Sequence, residues 1–159
     1  MIHVSLHDIG PQQIVAIRER VPQAGLPAFL GRAFGELYSQ LGMLGVPPGG
    51  HPFVIYHAFG PDGIDAEACA PVSRDVAASG QVHARILPAL KVARTLHLGP
   101  YEELAATYAA LGEWIREHHL EVAGPVRERY LTGVSEGVAP TQYRTEIEMP
   151  VETAAVAVA

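Results

Sequence analysis

The chain has 159 residues, 48% hydrophobic and 18% charged, which is enough for one domain with its own core. Its net charge of −6 argues against a nucleic-acid binder, whose affinity rests on basic patches meeting phosphate, and no apolar run is long enough to span a membrane. The opening MIHVSLHDIG lacks the basic and apolar regions of a signal peptide, and the single cysteine, Cys69, forms no internal disulfide, so a reducing, cytoplasmic setting is expected.

In chain order, the first predicted strand covers 13–20. A helix follows over 26–41, with Leu26, Leu30, Phe34, Leu37 and Leu41 at helical spacing and Pro27 near its start, where a missing N–H does no harm. PPGGHP at 47–52 is a loop. Strands at 53–58 and 63–69 flank FGPDG, a strong turn. A long strand bent near Pro88 is predicted over 82–98. A second helix spans 101–118, with Leu104, Tyr108, Leu111 and Ile115 on one face. Strands at 126–131 and 142–149 complete the set, and 152–159 reads as a flexible tail.

The two halves repeat each other. Leu30, Phe34, Leu37 and Leu41 fall on Leu104, Tyr108, Leu111 and Ile115 at one constant offset, which also carries Tyr56 onto Tyr130. Downstream, EACAPV (67–72) echoes EIEMPV (146–151) at a slightly different offset. Glu67 thereby matches Glu146, and Cys69 matches Glu148. Searching for internal repeats exposes this. The predicted fold is α+β: duplicated β-α-β-β units, at about 11–72 and 82–151, within a single domain over 1–151. They form an antiparallel sheet covered on one side by two main helices. A ligand cleft is expected at the junction of the repeats.

The chemistry-bearing residues are few. YRTEIEMP alternates, with Tyr143, Thr145, Ile147 and Met149 on one face and Arg144, Glu146 and Glu148 on the other. The plain reading of that second face is solvated acid. RER at 18–20 and at 127–129 reads as solvated strand surface. Aromatics at helical spacing, such as Phe34, Tyr38, Tyr108 and Trp114, are more often core than binding wall. An aromatic wall with one carboxylate nevertheless suits an apolar cation or a polarised planar molecule. The eight histidines show no HExxH or other ligand spacing, and Cys69 has no companion. No nucleophile elbow, P-loop or dinucleotide fingerprint occurs. Neither metal nor cofactor is expected.

HxGPY at 97–101, GPxxExY at 124–130 and TEIxxPV at 145–151 together make the chain resemble the GyrI-like small-molecule-binding domain, also called the bacterial transcription activator effector-binding domain. The resemblance covers about 11–151. It implies a cleft lined by aromatics around a buried acid that meets cationic or planar ligands. That acid matches Glu146, its walls match Tyr130 and Tyr56, and Trp114 sits on the second helix facing the cleft; Tyr108, Phe34 and Tyr38 extend the aromatic lining. Glu148 is expected near solvent, towards the strand end.

Many relatives place this domain behind a helix-turn-helix region. None fits before the first predicted strand, so no direct nucleic-acid binding is expected. The resemblance implies a protein that holds hydrophobic, aromatic, cationic small molecules for sensing, sequestration or resistance. It also offers a hydrolase of electrophilic cyclopropanoid natural products. There Glu146 would be the general base, its pKa raised by an apolar cleft, and Tyr130 or Tyr56 would stabilise the developing oxyanion. A gyrase-inhibitory protein interaction fits least, because the specific features cluster around a cleft.

Overall fold

The structure is a computed structural model that describes residues 2–133 and 136–155. The chain forms two compact units, one of residues 10–89 and one of residues 1–9 with 90–159. Each unit is an antiparallel sheet with one long helix, an α+β fold.

The first unit contains β2 (Gln12–Val21), α1 (Leu26–Leu44), β3 (Phe53–Gly60), β4 (Gly63–Pro71) and β5 (His83–Leu87). Its strands lie in the order β3-β4-β2-β5. The helix begins after a short 3-10 turn at Gln23–Gly25 and stops at Gly45, whose φ of 66° is the left-handed conformation glycine takes at no cost. It buries Phe29, Ala33, Leu37 and Leu41. The expected stripe was Leu30, Phe34, Leu37 and Leu41; the buried face is rotated by one residue over its first two turns. Nor is this sheet wet on one side. Ile14 to Ile17 are buried consecutively, as are Ala66 to Val72. Residues of one pleat parity, Ile14, Ala16, Phe53, Ile55, Cys69 and Leu87, form a buried cluster with no helical member, so apolar side chains occupy both faces.

The β3–β4 hairpin closes through Pro61 and Asp62, with Gly60 opposite Gly63. Gly63 has φ +127°, and a Cβ there would lie 3.0 Å from the Val21 carbonyl oxygen. Only glycine fits this conformation and this approach. A Gly63→Ala variant should lose about 1–3 kcal/mol, read as a lower urea midpoint; an unchanged midpoint would refute the strain.

The second unit contains β1 (Val4–Ile9), β6 (Leu90–Leu98), α2 (Leu104–Glu117), β7 (Leu120–Val122), β8 (Val126–Thr132) and β9 (Arg144–Thr153). The order is β1-β6-β9-β8, with β7 also paired to β9. Ala93, Leu111, Ile115, Ile147 and Val151 form its core, against which Tyr108, Trp114, Val126 and Met149 pack. These members place one pleat parity of the sheet against α2. Among the described residues no helix is long and apolar enough to cross a membrane.

Other expectations change as well. Residues 82–98 are not one bent strand but β5 and β6, which end and begin around Pro88–Ala89 and belong to different units. β1 and the three-residue β7 were not anticipated; short strands with weak alternation carry little periodic signal. Glu152 and Thr153, expected in the tail, pair with Glu121 and Leu120; 156–159 lie outside the described residues.

The sheet register carries the repeat. Tyr56 pairs with Ala66 and Tyr130 with Thr145, and in both strands the register shifts immediately after the tyrosine. Pro71 faces Ile14 as Pro150 faces Val92. The Gly49 N–H donates to Pro71 O at 2.9 Å and the Ala123 N–H to Pro150 O at 2.8 Å. Pro22 and Pro100, both extended, precede the short 3-10 turns that lead into α1 and α2.

Candidate functional site

Strand alternation puts Glu128 and Tyr130 on the same face of β8, the face against α2. Tyr108 reaches them from α2. Its hydroxyl donates to Glu128 Oε2, and the Tyr130 hydroxyl donates to Glu128 Oε1 at 2.7 Å. The carboxylate is 7% exposed. Tyr101, on the 3-10 turn Tyr101–Glu103 before α2, stacks on Tyr143 with centroids 4.9 Å apart and meets Tyr130 edge-on at 5.9 Å. Burial raises the Tyr101 phenol's pKa, and the neighbouring Tyr143, Glu136 and Glu128 add to the rise, so it stays a neutral donor. Tyrosine faces around one buried carboxylate are thus assembled from α2, β8 and the segments before α2 and β9.

Glu128 differs from the other buried acids. Glu67 and Glu148 are each 1% exposed, and arginines neutralise both. Arg85 bonds Glu67 through both of its nitrogens in contact, with His57 and His83 at 2.9 and 3.0 Å. Arg94 bonds Glu148 at 2.6 and 3.0 Å, and Arg129 bonds it at 3.0 Å. Among the described residues Glu128 has no basic partner; its two bonds come from neutral hydroxyls.

Glu146 lies elsewhere. Tyr130 is opposite Thr145 in the β8–β9 pairing, so those two side chains share a face and Glu146 points to the other. Glu146 takes a 2.6 Å bond from Arg129 and lies 3.8 Å from Arg94. It lines a groove of about 870 Å³ together with Arg94, Leu96, Leu98, Leu131 and Arg144. The expected Glu146–Tyr130 pair is therefore not formed. The expected order of exposure is also reversed. Glu148 is buried and Glu146 half-buried, because β9 runs on to Thr153 and places Glu148 in mid-strand between β6 and β8.

Of the other expected lining residues, Tyr108 joins Tyr130 at Glu128. Trp114 stacks on His118 at 3.8 Å and packs on the core of its unit. Tyr56, Phe34 and Tyr38 belong to the first unit. Tyr56 is buried on β3 and meets Phe59 edge-on at 6.0 Å. Phe34 and Tyr38 are half-buried on α1, and burial raises the Tyr38 pKa. The repeat locates the first-unit counterparts of Tyr108, Glu128 and Tyr130: Phe34, Val54 and Tyr56. The acid and one hydroxyl are specific to the second unit.

Glu128 was missed because RER at 127–129 read as solvated surface. Arg18, Glu19 and Arg20 are indeed exposed, but Arg127 and Glu128 are buried. The available signal was its i, i+2 relation to Tyr130 within GPxxExY, which puts both on one face. Tyr101 and Tyr143 carried no such signal; their stacking joins segments distant in sequence. Among the described residues no group of three or more His, Cys, Asp or Glu is placed to hold a metal ion.

Comparison with known proteins agrees with this fold. A family model described as GyrI-like small molecule binding domain matches residues 3–152. The chain of EcmrR in its complex with DNA superposes with a TM-score of 0.83 at 22% identity, covering 96% of this chain and 58% of that one. This chain thus spans little more than half of the EcmrR chain. A hydrolase from Listeria innocua superposes at 0.73 with 13% identity, covering 94% and 91% of the two chains. SAV2435 bound to tetraphenylphosphonium superposes at 0.66 with 18% identity, covering 94% of each. No curated protein matches by sequence.

Proposed function

The chain belongs to the GyrI-like small molecule binding domain family, and we propose that it holds hydrophobic, aromatic, cationic small molecules against Glu128, Tyr108, Tyr130 and the Tyr101–Tyr143 pair. The observation that carries this reading is the buried Glu128 carboxylate, bonded by neutral hydroxyls and by no base among the described residues. A buried charge without a counter-charge is costly. A cation with apolar substituents relieves that cost while its surface lies on aromatic faces. The relative solved with tetraphenylphosphonium supports the ligand class. Drug or toxin sensing, sequestration and resistance are the roles such binding serves.

The test is a calorimetric titration with tetraphenylphosphonium. Glu128→Gln keeps the shape and removes the charge. A carboxylate and a cation roughly 5 Å apart attract by about 1–3 kcal/mol, so affinity should fall roughly tenfold or more. A neutral aromatic of similar size should bind both proteins alike. Undiminished tetraphenylphosphonium binding by Glu128→Gln would exclude the site.

A second reading, hydrolysis of an electrophilic cyclopropanoid, draws on the same geometry, a carboxylate beside phenolic donors, and on the hydrolase relative. Mass spectrometry of a cyclopropane-bearing alkylator incubated with the protein separates the two. Water addition that disappears in Glu128→Gln while binding of the neutral electrophile persists favours hydrolysis; recovery of intact compound favours binding alone.

A further inference from the structure

His97 is buried on β6 at 5% exposure, and both its ring nitrogens are engaged. Nε2 lies 2.9 Å from the Pro100 carbonyl oxygen, and Nδ1 lies 2.7 Å from the Thr107 hydroxyl. A carbonyl only accepts, so Nε2 carries the hydrogen. In the neutral ring Nδ1 is then the acceptor, taking the Thr107 O–H. One imidazole thus ties the end of β6 both to the turn before α2 and to the first turn of α2 itself. Between the tied points, the Gly99 N–H donates to the Tyr143 carbonyl at 2.8 Å. The residue directly after Pro100 is Tyr101, which stacks on Tyr143 and abuts Tyr130.

The first unit lacks this device. Three residues before Pro22, as His97 is before Pro100, stands Glu19, which is exposed and paired with Arg32 at 2.6 Å. After Pro22 comes Gln23, whose amide donates to the Gly60 carbonyl at 2.7 Å. The imidazole tie and the tyrosine it precedes occur only in the unit that carries Glu128.

We propose that His97 is a positioning residue: through Pro100 and Thr107 it fixes the turn that sets Tyr101 against Tyr130 and Tyr143, and so shapes the aromatic wall beside Glu128. The inference rests on the binding reading above for its functional consequence, and on the hydrogen bonds alone for its structural one. A side chain held by packing only would swing about the Pro100–Tyr101 bonds; preorganising it removes that ordering cost from ligand binding.

The test uses the full chain labelled with 3-fluorotyrosine, whose six tyrosines give separate ¹⁹F resonances; loss of one signal in Tyr101→Phe identifies Tyr101. His97→Phe keeps a buried ring and removes both hydrogen bonds. It should move the Tyr101 resonance, leave Tyr38 and Tyr56 in place, and weaken tetraphenylphosphonium about fivefold. Thr107→Val removes one bond only and should move Tyr101 less, in the same direction; it decides the matter should His97→Phe not fold. An unmoved Tyr101 resonance in a folded variant overturns the proposal. So does a moved resonance with unchanged affinity, since the tie would then not serve the site. A wild type that fails to bind tetraphenylphosphonium sinks the binding reading, while the resonance still decides whether His97 positions Tyr101.

Discussion

Glu148→Ala is expected to destabilise the protein by about 3–5 kcal/mol, the largest effect of any single side chain considered. The carboxylate is 1% exposed, in the middle of a central strand, and joins Arg94 on β6 to Arg129 on β8. Burial alone would push its pKa up; Arg129 and Arg94 outweigh that and hold it below the usual carboxylate range. Truncation removes one of the two counter-charges and leaves both guanidiniums on the same sheet face, with Glu146 still 2.6 Å from Arg129. Arg94 then has only Glu146, at 3.8 Å, among the described residues. Uncompensated charge, more than lost contact, sets the magnitude. Glu146→Ala is the internal control. Its carboxylate is half-buried and joins the same arginines, yet its loss leaves Glu148 in place, so at most about 1 kcal/mol is expected. Urea unfolding of the two variants checks the order; equal midpoints would show that burial of Glu148 does not matter.

Acid should weaken the first unit through Glu67. Burial pushes this carboxyl up, but bonds from Arg85, His57 and His83 outweigh burial and bring it from 4.5 down to about 2. A folded-state pKa below the unfolded one means the unfolded chain binds the proton more readily. The associated stability is therefore complete above pH 4.5 and is lost as pH falls from 4.5 towards 2. A shift of that size is worth on the order of 3 kcal/mol. Glu148, also depressed, adds in the same direction. Stability of the wild type should fall steeply between pH 5 and pH 2, and Glu67→Gln should fall less over the same range. Parallel pH profiles for the two proteins would remove Glu67 as the cause.

The fate of the two carboxylates on YRTEIEMP shows what strand alternation can and cannot supply. Alternation correctly puts Glu146 and Glu148 on one face, opposite Thr145 and Ile147. It does not say how deep each lies, because depth depends on where the strand ends and what flanks it. β9 extends to Thr153, and that extension buries Glu148. The same rule, applied to RERYL, links Glu128 with Tyr130, but only the pairing with β9 and the packing of α2 show that their face is the inner one. The RER at 18–20 obeys the same pattern and is exposed, whereas at 127–129 Arg127 and Glu128 are buried and Arg129 is half-buried; identical triplets thus have different environments.

By itself the sequence determined both helices, most of the strands and their repetition, though not β1, β7 or the break between β5 and β6. Helical spacing, turn chemistry at FGPDG and the constant offset between the halves are local or periodic properties, and local backbone preference expresses them directly. The HxGPY, GPxxExY and TEIxxPV segments carried the family. Only the tertiary structure decided which acid stands among the tyrosines. Glu67, Glu128, Glu146 and Glu148 are chemically alike along the chain. What separates them is which cations the sheet register brings beside each: arginines reach Glu67, Glu146 and Glu148, whereas tyrosine hydroxyls from α2 and β8 reach Glu128. A charge is defined by its surroundings, and those come from residues distant in the chain.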